Sequence, residues 1–261
     1  MSLLNDALRA AHAPAPRAAV VPPRIALVAG AGGALGSAVL EQALAGGAFR
    51  QVQALVVAPV APAIAAFQPV PLTALEQHRP VADTAFIVFD RERYVNGRDD
   101  AFVRPLPEQL PQLAARLHAA GVRHLLVVMP HAVASLPQAL QRGLASLDEQ
   151  AVASLGFEHI LFVRSPQMPF TVAGVSKLQR VAHWVLGQLQ LMVPQREQPV
   201  RAVKLGAFAV QLARQLPSSP AGTRVVPPEV VWQASQGDEG AVARAWLQGE
   251  ALPPTQAPVR Y

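Results

Sequence analysis

Apolar and polar positions follow two patterns along this chain. Short apolar runs, typical of buried strands, are separated by stretches in which apolar residues recur every three or four positions, as on one helix face. The predicted strands are residues 24–29, 51–57, 84–89, 123–129 and 159–164. The predicted helices are residues 34–45, 107–120, 136–155, 175–189 and 204–216. Residues 58–71 are rich in Ala and Pro and hold at most a short helix and a short strand.

This alternation predicts an α/β protein with a doubly wound parallel sheet of the Rossmann-like type. Parallel strands need crossover connections, and right-handed crossovers place helices on both faces of the sheet. In such sheets ligands bind at the carboxyl ends of the strands, near the point where the strand order reverses. We therefore expect functional residues directly after each predicted strand.

The first predicted strand runs into three glycines spaced three apart, Gly30, Gly33 and Gly36. A strand, a glycine turn and a helix in this order build a site for a diphosphate, which meets free N–H groups at the helix N-terminus. A glycine-rich turn that binds nothing is the alternative. The predicted cofactor-binding residues of this turn are Gly30, Ala31, Gly32, Gly33, Ala34, Leu35 and Gly36.

Charged residues follow the predicted strand 84–89. Asp90 and Arg91 are candidates to bind a cofactor or another polar ligand at the point of strand reversal. An internal ion-pair cluster with Glu92 and Arg93 is the alternative interpretation.

Two further side chains are candidates for acid–base chemistry. His131 closely follows the strand 123–129 and is a candidate catalytic acid or base, or else a turn histidine. Tyr94 is a candidate hydroxyl donor, or else packs on its own loop. Arg164 ends another strand, where it either holds an anion or stabilises a turn.

Composition excludes several classes of function. Hydrophobic residues make up 51% and charged residues 15% of the chain, and the arginines behind the net charge of +5 are scattered. This pattern argues for a globular protein that does not bind nucleic acid. There is no cysteine, which excludes disulfides and thiolate metal sites. The histidines show no close metal-binding spacing along the chain, so we expect no metal site.

The first 23 residues differ from the rest in composition. They lack a continuous apolar core, which argues against a secretory signal, and residues 13–23 are rich in Ala and Pro. We expect a flexible segment over residues 1–23 and one domain over residues 24–261. No apolar run approaches the roughly 18 residues that span a bilayer. The expected protein is cytoplasmic and contacts no membrane.

Several stretches together resemble a known family. These are the glycine turn and residues 97–103, 120–128 and 156–164. They are similar to the atypical short-chain dehydrogenase/reductase superfamily, in its Tat-interacting-protein-like and NmrA-like branch of NAD(P)-binding proteins. The similarity runs from about residue 24 to residue 226. It implies a Rossmann domain with a small C-terminal helical lobe and NADP or NAD as the cofactor.

The chain departs from this family at the catalytic dyad. Active members carry a Tyr and a Lys four residues apart on the helix after the fifth strand, so that one helical turn places both on one face. The tyrosines here are Tyr94, which is followed four residues later by Arg98, and the terminal Tyr261. The family's Tyr and Lys positions fall near Gln141 and Ala145. Neither residue relays a proton.

Three functions remain open on this basis. The first is a degenerate, non-catalytic member that acts in ligand sensing or protein interaction, with a dinucleotide or another small molecule at the point of strand reversal. The second is an active NAD(P)H-dependent oxidoreductase or epimerase that uses His131 or Tyr94 as proton donor. The third is a nucleotide-free scaffold or assembly subunit, in which helices 175–189 and 204–216 carry a homodimer face.

Overall fold

The structure, a computed structural model, describes residues 24–62, 64–77, 82–90, 99–131, 148–166 and 200–254, with only the backbone described at residues 130, 131, 165 and 166. Seven strands form one sheet in the order β3-β2-β1-β4-β5-β6-β7, and every neighbouring pair is parallel. The strands are β1 (Ile25–Ala29), β2 (Gln51–Val56), β3 (Phe67–Pro71), β4 (Thr84–Val88), β5 (His124–His131), β6 (His159–Pro166) and β7 (Gly222–Val226). The helices are α1 (Gly33–Ala45), α2 (Leu110–Ala119), α3 (Ala202–Gln215), α4 (Pro228–Gln236) and α5 (Glu239–Gln248).

Both faces of the sheet are buried. Successive strand residues point to opposite faces, so Ala26 and Val28 join one core cluster while Leu27 and Ala29 join the other. Helices α1, α3, α4 and α5 contribute to the first cluster, and α2 contributes to the second. The short 3₁₀ helix Leu72–Gln77 and the helical residues 148–153 also contribute to the second cluster. The predicted doubly wound parallel sheet is therefore confirmed.

The strand order reverses between β1 and β4. From β1 the chain builds outward through β2 to β3, and it then returns to β4 on the other side of β1 and continues to β7. The carboxyl ends of β1 and β4 are neighbours, with Ala29 opposite Ile87. This arrangement brings the glycine turn after β1 next to Asp90, which follows β4, as the predicted topology requires.

Most predicted elements agree with the structure, apart from a residue or two at their ends. The predicted helix 175–189 lies outside the described residues, and the helix 136–155 is described only from residue 148, where it is helical to residue 153. Within residues 58–71 the structure has strand β3. The edge strand β7 was not predicted, because it is short and mostly exposed and so lacks an apolar run.

The predicted helix 204–216 is α3, and its apolar face lies inside the chain. Leu205, Phe208 and Leu212 are buried in the first core cluster. A Cβ atom on Gly206 would lie 2.9 Å from the carbonyl carbon of Ala38, so α3 and α1 are in close contact. The expectation that this helix carries a homodimer face is thus corrected, because the residues that suggested it belong to the core. Among the described residues, no helix combines the length and apolarity needed to cross a membrane.

Candidate functional site

The glycine turn has the backbone conformation that the sequence predicts. Gly30 and Gly33 have φ of +92° and +79°, in the left-handed region that favours glycine. A Cβ atom on Gly36 would collide with the carbonyl oxygen of Gly30, so the first turn of α1 packs directly on the end of β1. Strand β1, the turn and helix α1 therefore form the strand–glycine–helix unit typical of dinucleotide-binding sheets.

A carboxylate of the chain itself lies at the N-terminus of α1. The backbone N–H of Leu35 donates a hydrogen bond of 2.7 Å to Asp90 Oδ2. The N-cap residue, Gly32, has no side chain to accept this bond, and the first turn of α1 has no acidic residue. Asp90 therefore acts as the helix cap from the end of another strand, where the helix dipole favours a negative charge.

Asp90 also fills the space above the second glycine of the turn. A Cβ atom on Gly33 would lie 2.6 Å from Asp90 Oδ2. In a dinucleotide site this glycine is small so that the diphosphate can approach the backbone. In this chain the close approach is made by the carboxylate, which carries the same sign of charge as a phosphate.

Residues 99–106, the crossing segment, run over the carboxyl ends of β1 and β2. The N–H of Val103 donates to the carbonyl of Leu55 at 2.9 Å, and the N–H of Val57 donates to the carbonyl of Ala101 at 2.8 Å. Val56 and Phe102 form an isolated antiparallel bridge. The crossing segment is thus hydrogen-bonded to the end of β2, the position at which a Rossmann site meets the adenosine ribose.

The crossing segment also touches the glycine turn. A Cβ atom on Gly32 would lie 3.0 Å from the carbonyl oxygen of Asp99, and one on Gly30 would lie 3.2 Å from Pro105 Cδ. Gly30 and Gly32 are buried. The small residues of the turn are therefore in contact with the chain's own backbone and side chains.

Among the described residues, part of the standard NAD or NADP position is in contact with the chain itself. The backbone of the glycine turn is of the right type, but Asp90 lies at the helix N-terminus where the diphosphate would bind. The residues after β2, Val57 and Ala58, offer neither an acid for the ribose hydroxyls of NAD nor an arginine for the 2′-phosphate of NADP. A dinucleotide would have to displace the carboxylate before it reached the N–H of Leu35.

The other predicted site residues are only partly described. His131 is the last residue of β5 and lies at the same edge of the sheet, although only its backbone is described. Arg91 and Tyr94 lie outside the described residues, as do Gln141 and Ala145. The acid–base roles of His131 and Tyr94 therefore stay predictions.

Arg164 has an internal partner. Its guanidinium donates to both carboxylate oxygens of Glu149, at 2.8 and 3.0 Å, and the Glu149 side chain is 15% exposed. Charge-assisted pairs of this kind stabilise the packing of a helix on a strand end. Arg164 is thus engaged in an ion pair with a helical residue, a contact that neither the anion-binding nor the turn interpretation predicted.

A group of titratable residues at the opposite edge had no signal in the sequence. His124 and His159 are the first residues of β5 and β6 and lie opposite each other in register. Their Nδ1 atoms are 3.0 Å apart, and Glu158 lies beside them. Burial is the main cause that lowers the pKa of His124 to about 4, and the neighbouring His159 adds to the shift. The two histidines are far apart along the chain, so only the strand register reveals their contact.

No family model matches this chain, and no curated protein matches it. Its fold is similar to that of several solved structures at low identity. One is a glucuronic acid dehydrogenase from Chromohalobacter salexigens, with 16% identity over 88% of this chain and 91% of that chain and a TM-score of 0.45. Another is a UDP-N-acetylglucosamine 4-epimerase from Bacillus cereus, with 14% identity over 78% and 75% and a TM-score of 0.42.

A short-chain dehydrogenase from Leptospira borgpetersenii, solved with bound NAD⁺, is also similar, with 11% identity over 79% of this chain and 92% of that chain and a TM-score of 0.44. These likenesses concern the fold alone. The parallel strand order and the strand–glycine–helix unit of this chain by themselves define a Rossmann-type α/β fold.

Proposed function

We propose that this chain is a non-catalytic protein of the NAD(P)-binding Rossmann type, which acts by binding a small ligand or another protein and not by hydride transfer. The observation that carries the proposal is the hydrogen bond from the Leu35 N–H to Asp90 Oδ2. This bond uses an amide at the helix N-terminus that a bound diphosphate would need.

Two further observations support the same function. The sequence contains no Tyr followed four residues later by Lys. The dyad that relays protons in active short-chain dehydrogenases/reductases, the family that the sequence resembles, is therefore missing. The crossing segment is hydrogen-bonded to the end of β2, on the side of the sheet edge where an adenosine would lie. The proton relay and the usual cofactor contacts are therefore altered together.

Electrostatics indicate how strongly Asp90 opposes a dinucleotide. Two like charges about 4 Å apart repel by about 4 kcal/mol at an effective dielectric constant of about 20. Even a third of this value corresponds to a tenfold weaker affinity, since tenfold in affinity is about 1.4 kcal/mol. A dinucleotide that displaced the carboxylate would also break the cap of α1.

The test compares three proteins, namely the unchanged chain, Asp90→Asn and the control Asp100→Asn. Asp100 also carries a negative charge near the site, but its side chain is 67% exposed and its ion-pair partner, Arg104, is 3.7 Å away. NADH and NADPH are titrated by nucleotide fluorescence, and turnover is measured with a panel of carbonyl compounds.

We expect no turnover by the unchanged chain. We expect Asp90→Asn to bind the dinucleotides at least about tenfold more tightly than the unchanged chain and the Asp100→Asn control. Robust NAD(P)H-dependent reduction by the unchanged chain would overturn the non-catalytic function. Equal dinucleotide affinity in all three proteins would show that Asp90 does not compete for the diphosphate position.

A further inference from the structure

Two buried histidines and one carboxylate meet at the amino ends of β5 and β6. His124 and His159 are 1% and 2% exposed, and their Nδ1 atoms are 3.0 Å apart. Glu158 Oε1 lies 3.8 Å from His159 Nδ1. One donor atom from each of the three residues lies within 4.8 Å of the other two. This histidine cluster is at the edge of the sheet opposite the glycine turn.

The hydrogen bond of His159 to a backbone carbonyl determines which ring nitrogen carries the hydrogen. Its Nε2 lies 3.1 Å from the carbonyl oxygen of Ser219. A carbonyl only accepts hydrogen bonds, so Nε2 carries a hydrogen. In an imidazole with a single N–H the lone pair is then on Nδ1, the atom that faces His124. One proton then lies between the two Nδ1 atoms. The bond to a backbone carbonyl is also the contact that orients histidines bound to metal ions.

We propose that His124 Nδ1, His159 Nδ1 and the Glu158 carboxylate form a binding site for Zn²⁺ or a similar divalent transition-metal ion. The ion takes the place of the proton between the two rings. That proton moves from Nδ1 to Nε2 of His124, so the ring stays neutral and no other bond changes. Imidazole and carboxylate groups together are a usual donor set for zinc, and a water molecule completes four-coordination.

The distances are compatible with this exchange. Two nitrogens bound to zinc at tetrahedral angles lie about 3.3 Å apart, and the Nδ1 atoms here are 3.0 Å apart. A small rotation of the rings therefore opens the space for an ion. The Glu158 side chain is 41% exposed, so its carboxylate is free to move toward the two nitrogens.

The nearby positive charges are partly offset. The guanidinium of Arg24 is paired with Asp83 Oδ2 at 3.0 Å. Arg123 lies 3.6 Å from Glu158 Oε2, which is the carboxylate oxygen on the other side from the histidines.

The experiment uses the full chain after treatment with a chelator. Zn²⁺ is titrated by calorimetry, and Co²⁺ is added separately because its visible absorption reports four-coordinate binding. The ligand variants are Glu158→Gln and His159→Asn. The controls are His118→Gln, which removes an exposed histidine outside the cluster, and Arg123→Gln, which removes the ion pair of Glu158 and leaves the proposed ligands in place.

We expect one Zn²⁺ to bind per chain, with no binding to His159→Asn. Loss of an outer-shell contact alone weakens metal sites about 10- to 100-fold, so the loss of a ligand in Glu158→Gln should weaken binding at least tenfold. The two controls should bind as tightly as the unchanged chain or more tightly. If circular dichroism shows that His159→Asn is unfolded, the surface variant Glu158→Gln decides the outcome.

Three results would overturn the proposal. One is the absence of stoichiometric Zn²⁺ and Co²⁺ binding by the unchanged chain, which would make the histidine pair a hydrogen-bonded contact only. Another is binding that Glu158→Gln leaves unchanged. The third is binding that His118→Gln weakens as much as Glu158→Gln does. None of these results depends on whether the glycine turn binds a dinucleotide.

Discussion

At the scale of single residues, one aspartate determines how the N-terminus of α1 is capped at the carboxyl edge of the sheet. Gly32 has no side chain with which to cap α1, and the Leu35 N–H instead bonds to Asp90, which lies 55 residues further along the chain. The same contact that stabilises the helix places a negative charge where a diphosphate would bind. The cap of α1 therefore uses an amide that the diphosphate site typical of such turns would need.

Replacing Asp90 by alanine should lower the free energy of unfolding by about 1 kcal/mol, because losing the N-terminal capping acceptor of a helix costs about 0.5–2 kcal/mol. Urea unfolding followed by circular dichroism measures the change. The matched control, Asp100→Ala, should stay within about 0.5 kcal/mol of the unchanged chain. An equal loss in both variants would contradict the capping role of Asp90.

A second prediction at this scale concerns the pH dependence of stability. The pKa of His124 falls from 6.5 to about 4 on folding, so between these pH values the unfolded chain binds the proton and the native chain does not. The contribution of His124 to stability is therefore fully present above about pH 6.5 and is lost as the pH falls toward about 4. The expected loss is of the order of 2 kcal/mol.

Urea midpoints of the metal-free chain, measured from pH 7.5 down to pH about 4.5, test this dependence. Carboxylates elsewhere in the protein also titrate in this range, so the informative quantity is the difference from a variant. His124→Gln removes the titrating ring and should reduce the slope of stability against pH between about pH 6.5 and 4.5. Parallel slopes for the two proteins would show that the His124 pKa does not change on folding.

At the scale of elements, the closest packing that the structure shows between two helices is that of α3 on α1. A Cβ atom on Gly206 would lie 2.9 Å from the carbonyl carbon of Ala38 and 3.0 Å from the backbone nitrogen of Val39. Backbone atoms cannot rotate away as the end of a side chain can. Gly206 therefore determines how closely α3 can approach α1, the helix that follows the glycine turn.

Overpacking a core usually costs about 1–3 kcal/mol, and alanine is better than glycine in a helix by roughly 1 kcal/mol. Because the added Cβ atom would meet backbone atoms, we expect the larger cost to prevail, so that Gly206→Ala destabilises the fold by up to about 2 kcal/mol. Thermal or urea unfolding measures it. At the control position Gly237 a Cβ atom would meet nothing within 4 Å, so Gly237→Ala should be close to neutral. A stabilised Gly206→Ala would mean that α1 and α3 are less tightly packed than described.

At the scale of the whole molecule, the C-terminal helices belong to the main core. Val231 of α4 and Ala243 of α5 are fully buried in the same cluster as Ala26 and Val28 of the central strand β1. Strand β7 extends the sheet beyond β6. The helical C-terminal part is thus built onto the sheet, which favours one cooperative unit over the part of the chain that the structure describes.

Tryptophan fluorescence tests this cooperativity. Two of the three tryptophans, Trp232 and Trp246, lie on α4 and α5, so a Trp184→Phe variant reports on the C-terminal helices alone. We expect its fluorescence transition in urea to coincide with the circular dichroism transition of the whole chain. A fluorescence transition at lower urea would indicate a C-terminal lobe that unfolds by itself.

The sequence predicted more of the fold than of the candidate sites. The apolar runs of β1, β2, β4, β5 and β6 are each visible within a few neighbouring residues, and so is the strand–glycine–helix unit. Strand β7 was missed because a short, mostly exposed edge strand has no apolar run. The apolar face of α3 could be recognised in the sequence. The sequence did not show whether this face packs on another chain or on the core of its own chain.

What the sequence alone determined is local or periodic. It determined the alternation of strands and helices, the glycines at positions 30, 33 and 36, and the absence of a Tyr and a Lys four residues apart. Only the tertiary structure decided that Asp90 caps α1 and that His124 meets His159. These contacts depend on strand order and register, which join residues far apart in the chain, and no spacing along the sequence records them.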